Sequence, residues 1–367
     1  MRVDVCTSIA AFPRSLWNEA VERLGGSVYH RHEWLSLLES VSLVSVEPLH
    51  IVVRRGGRIT AIAPLYRTQR CPKFDMFLSQ YVSARGLDDC RFLVGHSMYA
   101  QSSQVLAEDA ADRRVVLEQV EMLRRDQRSH AGVVVFPLVP EGDPLLPLLK
   151  EDGYRIGLLS CTNLLDVGWD TFEGYLASLR SAKRINILKG MRISEGGGLE
   201  AKWGIEPSTP DTLTELIRRT AEHHDSPVFF DSKFIADIFK HLSGLVDVCT
   251  LTVGNEPLLA CLVLADGTEL LPWCIGFDYD TLDKYGHYNY LYVELIKYAI
   301  RHGYRRINLG RSTYYIKRKY GFRQRPVYIA ARFDASIAGP VSGWIEAIEA
   351  FARDELEMNG LISVLGR

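Results

Sequence analysis

The sequence predicts an α/β protein of two tandem lobes, each a mixed β-sheet flanked by helices, and three observations carry that expectation. The chain has 367 residues, too many for one ordinary core, so about two domains is the natural division. Apolar content of 47% with 24% charged residues describes a globular chain, in which runs with strand alternation are interleaved with runs at helical spacing. One order of elements, helix, hairpin, helix, strand, then occurs twice, offset by roughly 200 residues. Trp34 stands near Phe234 in this repeat, and Gly56-Gly57 near Gly254-Asn255.

In the first half, Leu16 to Leu24 reads as a short helix ended by Gly25-Gly26, and Glu33 to Val41 sets Trp34, Leu37, Leu38 and Val41 on one helical face. Leu49 to Arg54 and Arg58 to Tyr66 read as two strands across Gly56-Gly57, a pair suited to a two-residue hairpin. A poorly patterned stretch follows. Val115 to Arg125 is helical, and Gly132 to Leu138 is a Val-rich, buried-type strand stopped by Pro140.

The second half repeats the order. Phe234 to Leu242 reads as a helix with Asp231 as its N-cap; Val246 to Val253, Leu258 to Leu264 and Glu269 to Phe277 read as strands joined at Gly254-Asn255 and Asp266-Gly267. A helix from about Tyr290 to Arg301 carries a wide apolar stripe through Leu291, Leu295 and Ala299, with Asn289 as its N-cap and Gly303 as its stop. Arg305 to Leu309 is a short strand. The tail from Gly343 to Met358 sets Trp344, Ile345, Ile348 and Phe351 on one side, as a packing helix does. A boundary near Thr162 gives lobes at 1–161 and 162–335 with a terminal packing helix at 336–367. Ser181 to Arg192 reads as a basic helix, and Glu195-Gly196-Gly197-Gly198 as a flexible break.

Other features exclude whole classes. The N-terminus has no sustained apolar run and no stretch reaches the 18 or so apolar residues of a membrane helix, so the expected location is the cytoplasm. Seven cysteines without Cys-x-x-Cys spacing argue against a disulfide framework or zinc site, and Cys249, Cys261 and Cys274 lie in strand-like runs as small core residues. His30-x-His32 and His223-His224 lack a third ligand at recognisable spacing, so no metal is expected. No Gly-x-Ser-x-Gly elbow or Walker loop occurs.

The chemistry concentrates in Arg301 to Arg325, RHGYRRINLGRSTYYIKRKYGFRQR, which holds nine Lys/Arg and no Asp or Glu in a chain of formal charge -2. Such local positive potential is either solvated or aimed at an anion. Gly310-Arg311-Ser312 followed by Tyr315-Ile316-Lys317-Arg318-Lys319-Tyr320-Gly321-Phe322 reads as a cationic loop with interleaved aromatics. Arg offers a planar fork for phosphate, Lys a compact charge, and the rings a stacking face.

These residues resemble the C-terminal signature of the FemAB-like acyltransferases, a branch of the GNAT superfamily that includes the aminoacyl-tRNA-dependent FemABX peptidyltransferases. A second matching run, Leu179-Arg180-Ser181-Ala182-Lys183-Arg184 through Lys189 and Arg192, is similar to that family's Ser-x-Lys-Arg basic helix. The resemblance covers roughly residues 20 to 330, and it implies two tandem GNAT-like lobes with a cleft between them. It also implies that Lys317, the Lys after an apolar residue, sits at the reacting carbonyl in an oxyanion or leaving-group role. Arg311, Tyr315, Lys319 and Tyr290 would then hold the donor's phosphates or sugar, with Lys183 and Arg184 completing the cleft.

GNAT acetyltransferases usually present Arg/Gln-x-x-Gly-x-Gly/Ala where backbone N–H groups grip the coenzyme A pyrophosphate. The equivalent stretch here, Asp283-Lys284-Tyr285-Gly286-His287-Tyr288-Asn289-Tyr290, has one glycine and bulky aromatics. This departure favours a charged tRNA as donor, held by side-chain cations, with no separate cofactor. His287 and Asp278 are candidates to relay a proton from the attacking amine. Three readings follow: aminoacyl-tRNA-dependent amide formation on a small-molecule or peptide amine, in peptidoglycan branching or specialised metabolism; acyl-CoA or acyl-carrier-dependent N-acylation; and a non-catalytic GNAT-like binding module.

Overall fold

The computed structural model describes residues 1–41, 46–69, 91–95, 99–102, 104–126, 131–225, 231–335, 343–361 and 364. The poorly patterned stretch after Tyr66 therefore lies mostly outside the described residues. The chain forms two compact units, Met1–Cys161 with Arg325–Arg367, and Thr162–Gln324.

The first unit holds strands β1 (Arg2–Cys6), β2 (Val46–Pro48), β3 (His50–Arg55), β4 (Arg58–Ala63), β5 (Tyr66–Gln69), β6 (Arg91–Val94), β7 (Leu106–Ala107), β8 (Val133–Pro140) and the start of β9 (Arg155–Asp166). Its helices are α1 (Arg14–Arg23), α2 (His32–Ser40), α3 (Ala110–Arg125) and α4 (Leu145–Glu151). The second unit takes the end of β9 and continues through α5 (Phe172–Ser178), α6 (Ser181–Gly196), β10 (Leu199–Trp203), α7 (Thr209–His223), α8 (Ser232–His241), β11 (Val246–Val253), β12 (Glu256–Asp266), β13 (Glu269–Phe277), α9 (Leu282–Tyr285), α10 (His287–Arg301), β14 (Arg306–Asn308) and α11 (Tyr314–Lys319). β15 (Arg323–Phe333) and α12 (Trp344–Met358) then return the chain to the first unit.

The repeated order is visible in the strand pairing. In the first unit β1 pairs antiparallel with β3, β3 with β4, β6 runs parallel to β8, and β15 lies antiparallel to β8. The second unit has the same set: β10 with β11, β11 with β12, β13 parallel to β14, and β9 antiparallel to β14. Each parallel pair is bridged by a long helix, α3 or α10, as a parallel connection requires. Both units are thus mixed α/β layers of one plan, with Gly132–Leu138 and Arg305–Leu309 falling in corresponding strands.

Local sequence explains the element ends. Gly56 and Gly57 sit at φ 57° and 83°, the left-handed pair that a tight hairpin between β3 and β4 demands. Asp109 and Asp231 cap α3 and α8, each accepting a 2.8 Å bond from the backbone N–H of the third residue on, Asp112 and Phe234. Trp17 and Trp34 are fully buried in the first unit, and the Trp17 indole N–H donates to the His30 carbonyl at 2.7 Å.

Several expectations need correction. The Arg58 to Tyr66 strand breaks after Ala63, and its continuation, β5, pairs with β2 and β6 instead of β3. The basic helix continues to Gly196, so no break begins at Glu195. The last helix of the repeat starts at His287, and its N-cap is Gly286 at φ 61°; Asn289 lies inside the first turn, donating its backbone N–H to the Gly286 carbonyl. The cationic loop is helical from Tyr314 to Lys319, following two left-handed residues, Ser312 at φ 61° and Thr313 at φ 49°.

Candidate active site

The second unit builds the site on the end of β14. Asn308 Oδ1 accepts from the Gly310 backbone N–H at 3.0 Å and from the Thr162 hydroxyl at 2.9 Å. From β9, fully buried Asn163 donates its side-chain N–H to the Gly310 carbonyl at 2.8 Å and to the Ser312 carbonyl at 3.3 Å, while the Gln324 amide donates to Asn163 Oδ1 at 2.8 Å. These amides pin 309–313 from both sides. A buried amide committed this way is a fixed frame, since releasing any partner leaves a polar group without water. Asn163 escaped the sequence reading, although an Asn inside the apolar run Cys161–Leu165 was its one signal.

Lys317 lies against this frame. Its residue is only 5% exposed, and Nζ donates to the Leu309 carbonyl at 2.9 Å and to the Arg311 carbonyl at 2.7 Å. Burial, and secondarily the charge of Arg311, pushes its pKa down to about 7. The first turn of α11 thereby clasps the loop that precedes it. Arg311 is half-buried, Tyr315 is 65% exposed, and the Lys319 ammonium sits 4.4 Å over the Tyr315 ring.

The basic helix contributes directly. Lys183 Nζ donates to the Arg318 carbonyl at 2.6 Å, tying α6 to α11, and burial together with the charges of Arg318 and Arg180 lowers its pKa. Arg184 is half-buried one position further on. Among the described residues, no ion pair to a carboxylate is recorded for Lys183, Arg184, Lys317 or Lys319.

The remaining candidates lie elsewhere in the unit. His287 is fully buried at the start of α10, its ring 6.2 Å from the Phe277 ring; burial lowers its pKa, opposed by the backbone and carboxylate of neighbouring Asp278. Asp278, also buried, accepts from the Asp280 backbone N–H at 2.9 Å. Tyr290 is buried with its hydroxyl 3.4 Å from Glu195 Oε1 and its ring 5.6 Å from the Lys297 ammonium. Hydrogen bonds join Lys317 to the Arg311 carbonyl and Lys183 to the Arg318 carbonyl, whereas His287, Asp278 and Tyr290 lie around the start of α10. The nearest link is aromatic: Tyr292 on α10 stacks with Tyr320 at 4.9 Å, and the Tyr320 hydroxyl donates to the Asn289 carbonyl at 2.9 Å.

At the start of α10, the short helix α9 and the left-handed Gly286 lead directly into His287 and Tyr288. The Gly286 N–H is spent on the Leu282 carbonyl, and those of Asn289 and Tyr290 on the Gly286 carbonyl. The side chain of His287 turns into the core. Neighbouring His223 stacks on Tyr279 at 3.6 Å, and His224 Nε2 lies 2.5 Å from the Tyr279 hydroxyl. Cys249, Cys261 and Cys274 are buried free thiols, all with pKa values raised by burial.

A repeated mixed sheet, each half with its long-helix crossover, and a basic motif at the end of the second crossover strand define a tandem two-lobe α/β architecture. Residues 182–318 match the family profile described as acetyltransferase (GNAT) domain, a span that begins in α6 and ends in α11. No curated protein sequence matches the chain. Among solved structures, that of FemX aligns with a TM-score of 0.65 at 12% identity, over 90% of this chain and 97% of that one. The C-terminal domain of a putative lysylphosphatidylglycerol synthetase from Agrobacterium fabrum aligns at 0.59 and 14%, over 94% and 98%. A tandem GNAT protein from the clavulanic acid biosynthesis pathway aligns at 0.51 and 11%, over 90% and 98%. Residues 182–318 thus form a GNAT-type domain, and the chain shares its fold with FemX and with these tandem GNAT structures; among its described residues no helix is long and apolar enough to cross a membrane.

Proposed function

We propose that this acyltransferase forms an amide by transferring an aminoacyl group from a charged tRNA to an amine on a small molecule or peptide. The observation that carries the reading is the group of cations gathered where α6 meets α11. Lys183 is bonded to α11, and Lys319 stands beside an exposed Tyr315, without a carboxylate partner among the described residues. A phosphodiester end with a stackable base fits side-chain cations and an open aromatic face. The resemblance of Arg301–Arg325 to the FemABX signature supports the same donor, and a tRNA donor implies work in the cytoplasm. In this reading Lys317 acts at the reacting carbonyl, Arg311, Tyr315, Lys183, Arg184 and Lys319 hold the donor, and the ester itself is the activated species, so positioning matters more than a strong base.

The description of the matching family as an acetyltransferase domain favours a second reading, an acyl-CoA donor. Purified protein offered a panel of charged tRNAs and acyl-CoAs, with donor consumption followed by mass spectrometry, separates the two. Salt provides an independent check. Each phosphate contact releases counterions, so tRNA affinity is expected to fall steeply as salt rises, and Lys183→Ala or Lys319→Ala should each reduce the slope of log K against log salt by about one. Salt-insensitive tRNA binding, or tight saturable binding of acetyl-CoA, would overturn the tRNA reading.

A further inference from the structure

The free edge of β10 is complementary to itself. β10 is the end strand of its sheet, bonded on one side to β11. In an antiparallel pair the main-chain bonds fall on alternate residues. The Gly204 N–H donates to the Val248 carbonyl at 3.0 Å, and the same register sets Lys202 opposite Thr250 and Glu200 opposite Thr252. Gly204, Lys202 and Glu200 therefore spend their main-chain groups on β11, whereas Leu199, Ala201 and Trp203 direct theirs to the free edge.

The side chains alternate between the two faces of the sheet. Leu199 is buried in the core that includes α10, with Ala201 and Trp203 packed against that core and the Trp203 ring stacked on Tyr298 at 3.8 Å. Glu200 and Lys202 are exposed on the opposite face, and among the described residues neither forms an ion pair. Edge strands are commonly blunted, as β2 is by its three-residue length and Pro48. β10 has no proline, and its two charges are of opposite sign.

We propose that β10 is a homodimer interface, at which a second copy of this chain lays its own β10 antiparallel across a two-fold axis through Ala201. A two-fold contact opposes the strand to itself, so the register alone remains to be fixed. With the axis at Ala201, Glu200 faces Lys202 of the second copy, Lys202 faces its Glu200, and Leu199 meets its Trp203 on the α10 side. Both charge pairs fall at the non-hydrogen-bonded positions of the new ladder, where facing side chains stand closest. Moving the axis to Glu200 would set two carboxylates against each other, and moving it to Lys202 would do the same with two ammonium groups. The charges thus select one register out of three. Ile205, 47% exposed just beyond Gly204, comes to lie beside the start of the second copy's strand.

Sedimentation velocity on the full chain, from about 0.1 to about 100 μM, tests this assignment. A reversible monomer–dimer equilibrium is expected. Glu200→Lys and Lys202→Glu each turn two attractive pairs into two repulsive ones, so each should weaken the dimer by about 10-fold or more. Both positions are exposed, and melting curves should stay close to wild type. An equal mixture of the two variants should associate about as well as wild type, because every facing pair between unlike chains is again of opposite charge. A wild-type chain that stays monomeric up to about 100 μM overturns the proposal. So does a dimer that either reversal leaves intact, or one that the mixture fails to restore.

Discussion

Replacing Lys317 with methionine is expected to lower the rate of amide formation by about 100-fold or more while leaving donor affinity within a few-fold, because an interaction made at the reacting carbonyl acts mainly on turnover. Methionine keeps an apolar stem in a site that is only 5% exposed, and removes the nitrogen alone. The Leu309 and Arg311 carbonyls lose a donor, at a cost of about 1–3 kcal/mol in stability, so a melting curve should accompany the kinetics. Lys319→Ala should do the reverse. That side chain is exposed on the same short helix, and as a ground-state contact it should mainly raise the apparent donor constant. General loss of local charge would affect both variants alike. If saturation kinetics show both with near-full turnover at saturating donor, Lys317 is a structural lysine that only fastens α11 to its loop.

The largest stability effect outside the site is expected at Gly276, where β13 passes under α7. A Cβ at this position would lie 2.4 Å from the Ile217 backbone nitrogen and 2.5 Å from the Leu216 carbonyl carbon. Backbone atoms cannot rotate aside, so the helix would have to lift from the sheet. Gly276→Ala should therefore cost about 3 kcal/mol, at the upper end of ordinary overpacking. Gly190, inside α6, gives the contrast: nothing lies within 4 Å of its added Cβ, and Gly190→Ala should stabilise by about 0.5–1 kcal/mol through helix propensity alone. Denaturant midpoints measure both, and hydrogen exchange locates the change. A Gly276→Ala protein within about 0.5 kcal/mol of wild type would mean that α7 does not rest on β13 as described.

Where a segment's own pattern determines its state, the sequence was readable. β11 and β13 begin and end at the expected residues, the Asp231 cap is present, and the Gly56-Gly57 hairpin forms. α11 was not readable, because it has six residues, no side-chain cap and two left-handed residues before it, so its helicity depends on tertiary bonds to Leu309, Arg311 and Lys183. Asn289 has a capping residue's chemistry, but Gly286 had already taken the left-handed turn. β9 and β15 were missed for a different reason. A polar Asn163 interrupts the first and Pro326 with three arginines the second, while their partners are strands well over a hundred residues away. Within the site, the cations were evident from composition. That Lys317 is buried and hydrogen-bonded by main-chain oxygens was not, since periodicity says nothing about which carbonyls a lysine meets.

The return of the chain through β15 has a consequence for synthesis on the ribosome. Val133 to Pro140 must wait for Val327 to Phe333 before it gains its antiparallel neighbour, and α12, which buries Trp344 beside Phe333, emerges later still. During that interval all of Thr162–Gln324 leaves the tunnel, at about 5–20 residues per second. The second unit is thus able to mature first, although it is the later to be translated, while β8, already beside β6, keeps one hydrophobic edge open for about 10–40 s. Nascent chains in which residues through Gln324, but not Val327–Phe333, have left the tunnel should accordingly protect β11–β13 from proteolysis yet leave the open edge of β8 to cleavage or capture by a chaperone.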